Sequence, residues 1–343
     1  MPEHSGWEAR FNRIWYGRGF APWLWPLAWL FGGLVRLRHG LYELGLRQGV
    51  RVEVPVLVVG NLTVGGTGKT PLTVYLSDCL RSLGRRPGIA TRGHGSATAQ
   101  VRRVNPDSSP AEVGDEPVLL LRRTGVPVCV AARRADAARA LIAAGCDVIL
   151  CDDGLQHLAL ARDLEIAVVD AARGLGNGRL LPAGPLREPA SRLASVDLVV
   201  LNVSDAAAAR YDWPGALRMR LVGDEAVSLT GCLPNRPLAD FRDAPVHAVA
   251  AIGNPDRFFR QLREAGLQLQ EHAFPDHHAF APGELDFDDG CAVLMTEKDA
   301  VKCAPFANNH LWFVPVEAVF DAADEARLMQ CLAALPDRGE LPT

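Results

Sequence analysis

The segment from Val56 to Thr70, VLVVGNLTVGGTGKT, constrains the fold more than any other part of the chain. An apolar run of strand character leads into a glycine-rich loop that ends in Gly68-Lys69-Thr70, and Pro71 follows where a helix should begin. Glycines let backbone N–H groups converge on phosphate oxygens, and a helix N-terminus aims its dipole at the same point. Thr63, Val64, Gly65, Gly66, Thr67 and Gly68 are therefore read as a nucleotide cradle, with Lys69 on the β- and γ-phosphates and the Thr70 hydroxyl on Mg²⁺. Thr63 stands where this pattern usually has its first glycine.

Around this loop the chain reads as α/β. Strand candidates over 54–60, 88–91, 126–131, 147–151, 165–170 and 197–202 alternate with helical stretches such as 71–83 and 135–144. Alternation of this kind predicts a P-loop NTPase-like, mostly parallel sheet flanked by helices. A strand over 246–252, a helix near 257–265 and strands over 292–295 and 311–314 predict a second, smaller α/β lobe. The Ala-, Gly- and Pro-rich stretch 204–245 lies between the two series. The expected division is an N-terminal arm over 1–50, a nucleotide-binding domain over 51–205 and a second lobe over 206–343 that completes the cleft.

Composition narrows the function. A net charge of −4 gives no reason to expect a nucleic-acid partner, and no obligate protein partner is evident. The eight Cys are scattered without a CxxC pair, which argues against a zinc site or a disulfide framework. Of the 36 basic residues only Lys69, Lys298 and Lys302 are lysines. In a chain so biased to Arg, these mark positions where a compact ammonium serves and a planar guanidinium does not.

The arm differs from the rest. It holds five of the seven Trp (Trp7, Trp15, Trp23, Trp25 and Trp29) and seven Arg within residues 1–51. Its uncharged run from Gly19 to Val35 contains Pro22 and Pro26, which predicts a broken start. Trp and Arg beside an apolar helix suit a membrane-associated, interfacial anchor; a single span and a core helix capped by aromatics are the other readings.

Three further motifs carry chemistry. The strand Val148–Cys151 ends in Asp152 and Asp153, the position of a carboxylate that holds Mg²⁺ beside a P-loop, although paired Asp also occur in turns. Asp115 and Glu116 open an apolar helix, either as N-terminal capping residues or with Asp115 as the carboxylate that a kinase needs at an alcohol. His277 and His278 follow Asp276; they are a solvent-facing pair, or His277 reaches across the cleft to a catalytic carboxylate.

Taken with the strings TRGHG at 91–95, DDGLQH at 152–157, GNGRLLPAGPLRE at 176–188 and MTEKDAVK at 295–302, these motifs closely resemble the tetraacyldisaccharide 4′-kinase family of lipid A biosynthesis. The resemblance runs in order along nearly the whole chain. It implies transfer of the γ-phosphate of ATP to the 4′-hydroxyl of a tetraacylated glucosamine disaccharide 1-phosphate, giving lipid IVA, at the cytoplasmic face of the inner membrane. It further implies Asp115 as base with His277 as its partner, and Thr70, Glu116, Asp152 and Asp153 around the metal. Arg134, Gln156, His157, Arg187 and Glu188 are implied as substrate or active-site contacts. His94 and Leu155 stand where the family often has an aromatic. The rival reading is a membrane-attached P-loop NTPase that acts as a switch or targeting factor. A guanine-reading motif needs Asn or Thr followed at once by Lys, and in Thr296-Glu297-Lys298-Asp299 the Lys comes one place late.

Overall fold

The computed structural model describes residues 5–17, 19, 21–93, 100–204 and 210–337. His94 and Gly95 of the TRGHG string lie outside them.

The strands, in chain order, are Val56–Gly60 (β1), Pro87–Thr91 (β2), Arg102–Arg103 (β3), Val128–Val130 (β4), Val148–Asp152 (β5), Leu164–Asp170 (β6), Leu198–Asn202 (β7) and Leu217–Val222 (β8), then Glu225–Ser228 (β9), Arg236–Pro237 (β10), Val246–Ala250 (β11), Leu269–Ala273 (β12), Val293–Thr296 (β13), Leu311–Val314 (β14) and Glu317–Phe320 (β15). The helices used below are Ser5–Tyr16 (α1), Trp25–Glu43 (α2), Lys69–Ser82 (α3), Pro110–Val113 (α4), Asp115–Thr124 (α5), Arg134–Ala143 (α6), Pro255–Glu264 (α7), Glu297–Cys303 (α8) and Ala322–Ala333 (α9).

Nine strands form the larger sheet in the order β15-β8-β7-β6-β1-β5-β2-β4-β3, parallel from β8 to β4 and antiparallel at both edges. Its central strands are buried along their whole length, which is why they read as unbroken apolar runs. β1 lies between β5 and β6, and the chain leaving β1 passes over β5 to reach β2. At such a switch point the loops after the strands part, and the crevice between them receives ligands. The P-loop leaves β1 there. Leu72, Leu76 and Leu80 of α3 bury fully on one face of the sheet, packed with Leu328 and Leu332 of α9. Ala137, Ala138 and Leu141 of α6 fill the other face.

The smaller sheet has the order β10-β9-β14-β13-β11-β12, with β14, β13, β11 and β12 parallel. It carries its own two cores, one around Phe258, Phe259 and Leu262 of α7 and one around Met295, Cys303 and Phe280.

The expected division at residue 205 does not separate the sheets. β8 and β15 both join the larger one, and α9 packs on it. β8 was hidden in the Ala/Gly/Pro-rich stretch because its signal is a short alternation, Leu217 and Met219 fully buried against exposed Arg218 and Arg220.

The arm breaks as its prolines predict. A 3₁₀ turn over Pro22–Leu24 precedes α2, which starts at Trp25 with Pro26 in its first turn. Ala28 and Gly32 face inward; a Cβ on Gly32 would stand 2.7 Å from Leu180 Cδ1, so a larger residue there requires the Leu180 side chain to shift. Trp23, Leu27, Trp29, Leu30, Leu34 and Leu37 point outward, Trp29 with 73% of its surface exposed. Arg36, Arg38 and Glu43 punctuate the second half of α2, and among the described residues no helix is long and apolar enough to cross a membrane.

Candidate active site

A cleft of about 410 Å³ lies between the two sheets. The P-loop from Thr63 to Pro71, Glu116, Asp153 and Arg187 line one wall; Gly253, Asp276, His277 and Lys298 line the other.

The loop folds as its glycines allow. Gly65 and Gly68 both adopt φ 102°, a backbone that side chains disfavour. The end of β7 supports it: Asn202 Nδ2 donates to the Thr67 carbonyl at 2.9 Å. Thr63 needs no glycine, because it is buried in an antiparallel bridge with Leu186, and the next amide, Val64 N, donates to the Pro185 carbonyl at 2.9 Å. The Thr67 hydroxyl is buried without a protein partner, a polar atom in the cradle that suits a ligand oxygen.

Lys69 Nζ donates to Asn61 Oδ1 at 3.1 Å and stands 3.6 Å from Asp153 Oδ1. Arg187 grips Asp153 with two bonds, 3.1 and 3.0 Å, and donates to the Asn61 carbonyl at 2.8 Å. Burial alone would raise the Asp153 carboxyl, but Lys69 and Arg187 outweigh it and hold the group well below the usual carboxylate range. Asp152 is level with Val59 of β1, buried, and accepts from the Thr73 hydroxyl at 3.2 Å. Burial, and then the Glu116 carboxylate, push its affinity for a proton up. A cation beside it would reverse that. Thr70 and the Asp152–Asp153 pair offer oxygen donors only, and among the described residues no group of three or more His, Cys, Asp or Glu forms a cage. That incomplete set fits Mg²⁺, which keeps water and takes phosphate oxygens.

Asp115 begins α5 and is buried, with Oδ1 accepting the Glu116 amide at 2.9 Å. From the second lobe His277 reaches it, Nδ1 to Oδ2, at 3.1 Å. Burial works against the Asp115 anion, yet the bond from His277 and the charge of Lys298 carry its pKa down to about 2. The same bond raises His277. His278 turns away to Glu284, 3.1 Å off, so the two histidines do not act as one site.

Of the other expected contacts, which lie outside the cleft lining, Gln156 and Glu188 meet the arm. Gln156 Nε2 donates to the Asn61 carbonyl at 3.1 Å, and its own carbonyl accepts from Arg38 of α2 at 2.7 Å. Glu188, buried, lies 3.2 Å from His39 of α2 and 3.5 Å from Arg192. Burial, then Arg134 and Arg162, lower His157 to about 4. Arg134 is buried with its Nε unpartnered. Leu155 packs fully buried against Gly60 and is a core residue here.

Sequence reasoning missed Asn61, Asn202, Arg173 and Gly253. Arg173 donates to the Gly253 carbonyl at 3.3 Å and to Asn254 Oδ1 at 2.6 Å, and so ties the lobes together. Gly253 rests on the P-loop: a Cβ there would lie 2.9 Å from Gly65 Cα and 3.0 Å from Gly66 N. Gly253→Ala is expected to raise KM for ATP by about 5- to 50-fold through this overpacking while leaving the melting temperature nearly unchanged, as nucleotide titration and a thermal scan will show.

A phosphate-binding loop at the switch point of a parallel sheet, with a second lobe closing over it, makes this an α/β protein of the P-loop NTPase class. Its residues 20–335 match the family model described as Tetraacyldisaccharide-1-P 4′-kinase. The tetraacyldisaccharide 4′-kinase of Alkalilimnicola ehrlichii is 52% identical over 316 residues, 90% of this chain and 92% of that one. That of Methylobacillus flagellatus is 46% identical over 330 residues, 95% and 97% of the two chains. The crystal structure of LpxK from Aquifex aeolicus in complex with ATP superposes with a TM-score of 0.75 at 28% identity, covering 90% of this chain and 97% of that one. The chain belongs to the tetraacyldisaccharide-1-P 4′-kinase family, as the sequence motifs imply.

Proposed function

We propose that the protein transfers the γ-phosphate of ATP to the 4′-hydroxyl of a tetraacylated glucosamine disaccharide 1-phosphate, giving lipid IVA, at the cytoplasmic face of the inner membrane. One observation carries this reading: Glu116 and His277, which flank Asp115, line the same cleft as Lys69 and Thr70. A kinase for an alcohol needs just such a carboxylate opposite its phosphate cradle.

In this reading the P-loop amides and Lys69 hold the triphosphate, and Asp115 orients the sugar hydroxyl in line with the γ-phosphorus. As the new P–O bond forms and the bond to ADP breaks, Asp115 takes the hydroxyl proton. Thr70 and Asp152, with Asp153 and Glu116 beside them, would hold a Mg²⁺ ion, which would supply neutralisation of the charge on the phosphates. Arg187, Gln156 and His157 contact the disaccharide, and Arg134 and Glu188, both buried, support them from behind. The switch reading finds no support at Asp299. Its carboxylate is fully buried and engaged by Thr296, the Ala251 amide and Lys302, so it is closed to a guanine base.

The test is transfer of label from γ-labelled ATP to the 4′ position of the disaccharide 1-phosphate. Release of the label as inorganic phosphate alone overturns the assignment in favour of an NTPase. The arm has its own test. A substrate with four acyl chains stays in the bilayer, and the outward Trp and Leu of α2 suit burial at its surface. Trp29→Ser with Leu30→Ser is expected to weaken binding to anionic phospholipid vesicles about tenfold or more, with turnover on detergent-dispersed substrate little changed.

A further inference from the structure

Lys298 lies in the one string, 295–302, whose purpose the motifs leave open. It is the second residue of α8, where the helix dipole disfavours a cation, and its side chain is only 15% exposed. Three short contacts explain its place: Nζ is 3.1 Å from Glu116 Oε1, 3.3 Å from Asp276 Oδ1 and 3.4 Å from His277 Nε2. Asp115 Oδ2 is 3.9 Å away. The ammonium thus stitches the carboxylates of the first lobe to Asp276 and His277 of the second.

An ammonium has three donors and no acceptor. Against it, His277 Nε2 can only accept, so the ring proton sits on Nδ1 and is given to Asp115 Oδ2. We infer that Lys298 is a positioning residue for the phosphoryl transfer proposed above, one that holds His277 Nε2 as an acceptor, so that the neutral imidazole gives its single proton, on Nδ1, to Asp115. This inference rests on that reaction for its consequence, but not for its geometry. Asp276 Oδ1, 3.8 Å from Nε2, faces a proton placed there. With the ammonium gone the ring takes a second proton on Nε2, and Asp115 then faces an imidazolium in place of a neutral donor.

Arginine does not substitute. Its planar fork spreads its donors along one edge, whereas here three acceptors surround a single nitrogen. The scarcity of lysine in the chain is consistent with selection for this geometry.

The deciding measurement is the ¹⁵N–¹H correlation spectrum of His277 in the full-length protein, assigned through its loss in His277→Asn. The wild type is expected to show an unprotonated Nε2 and a protonated Nδ1, and Lys298→Met to gain a proton on Nε2 while Nδ1 stays protonated. A wild-type Nε2 that carries the proton, or a spectrum unchanged in Lys298→Met, overturns the inference. In parallel, Lys298→Met is expected to lower kcat by about 10- to 100-fold with KM for ATP nearly constant, the size of losing a hydrogen bond to a charged group. Lys298→Arg stays low. Lys298→Cys treated with 2-bromoethylamine, which rebuilds an ammonium of near-lysine length, recovers most of the turnover relative to treated wild type; no recovery counts against the inference. If the wild type transfers no phosphate to the lipid, the proposed reaction fails while the tautomer measurement still decides the role of Lys298.

Discussion

Asp115→Ala is expected to lower kcat by about 10²- to 10⁴-fold while KM for ATP stays within a few-fold, the range for loss of a positioned acid–base group. The asymmetry follows from position. Asp115 sits at the start of α5 and takes no part in the phosphate cradle, so the nucleotide still binds when it is gone. With its pKa held near about 2, the carboxylate is a weak base in the ground state. Its contribution is to orient the hydroxyl and to receive the proton late, when the attacking oxygen has become acidic, as a loose phosphoryl transfer permits. His277→Ala, which removes the partner and keeps the carboxylate, is expected to have the smaller effect of the two. Near-normal turnover in Asp115→Ala with intact ATP binding would show that another group does this work.

Lys69→Met is the second large effect: a fall of about 10²- to 10³-fold in kcat, the size of losing one preorganised donor to developing charge, with weaker ATP binding besides. The lysine is held ready by Asn61 and Asp153, so its side chain is largely oriented before the nucleotide arrives. Its removal also takes away one of the three cations, with Arg187 and Arg134, that keep Asp153 ionised. Lys69→Arg is not expected to restore activity, because the guanidinium is bulkier and Arg187 already engages Asp153 Oδ1 and Asn61 Oδ1, the two oxygens that Lys69 faces. Turnover and a nucleotide titration on each variant, run side by side, check both parts. Unchanged kcat in Lys69→Met would remove the P-loop from the chemistry.

Much of this was legible in the residues because it is local. The strand, turn and helix from Val56 to Ser82 are specified by contiguous sequence, and so is the acidic tip of β5. The pairing of His277 with Asp115, 162 positions apart, is implied by the family resemblance; the residues alone leave His277 either facing solvent or crossing to an unspecified carboxylate. What stayed hidden depends on chain segments meeting in space. Asn61 and Asn202 look like ordinary polar residues until β1 and β7 bring both to the back of the P-loop. Gly253 has no signal at all; its need for a hydrogen side chain comes from the P-loop pressed against it. Lys298 did carry a signal, the rarity of lysine, but its partners come from α5 and from the loop after β12. β15 and α9 were invisible as parts of the first sheet, since nothing in their own sequence says which sheet edge they will find.

That late return has a mechanical consequence. The second lobe leaves the larger sheet after Val222 and rejoins it at Glu317, and the two crossings touch: a Cβ on Gly223 would overlap the carbonyl oxygen of Pro315. Once the ties from Arg173 and Lys298 are released, a lobe joined by the chain at one such paired point would turn about it like a gate. Because Asp115 and Glu116 stay on the post while His277 and Lys298 ride on the gate, swinging it open disassembles the proton-handling group as a unit. The machinery for transfer then exists only while the cleft is shut.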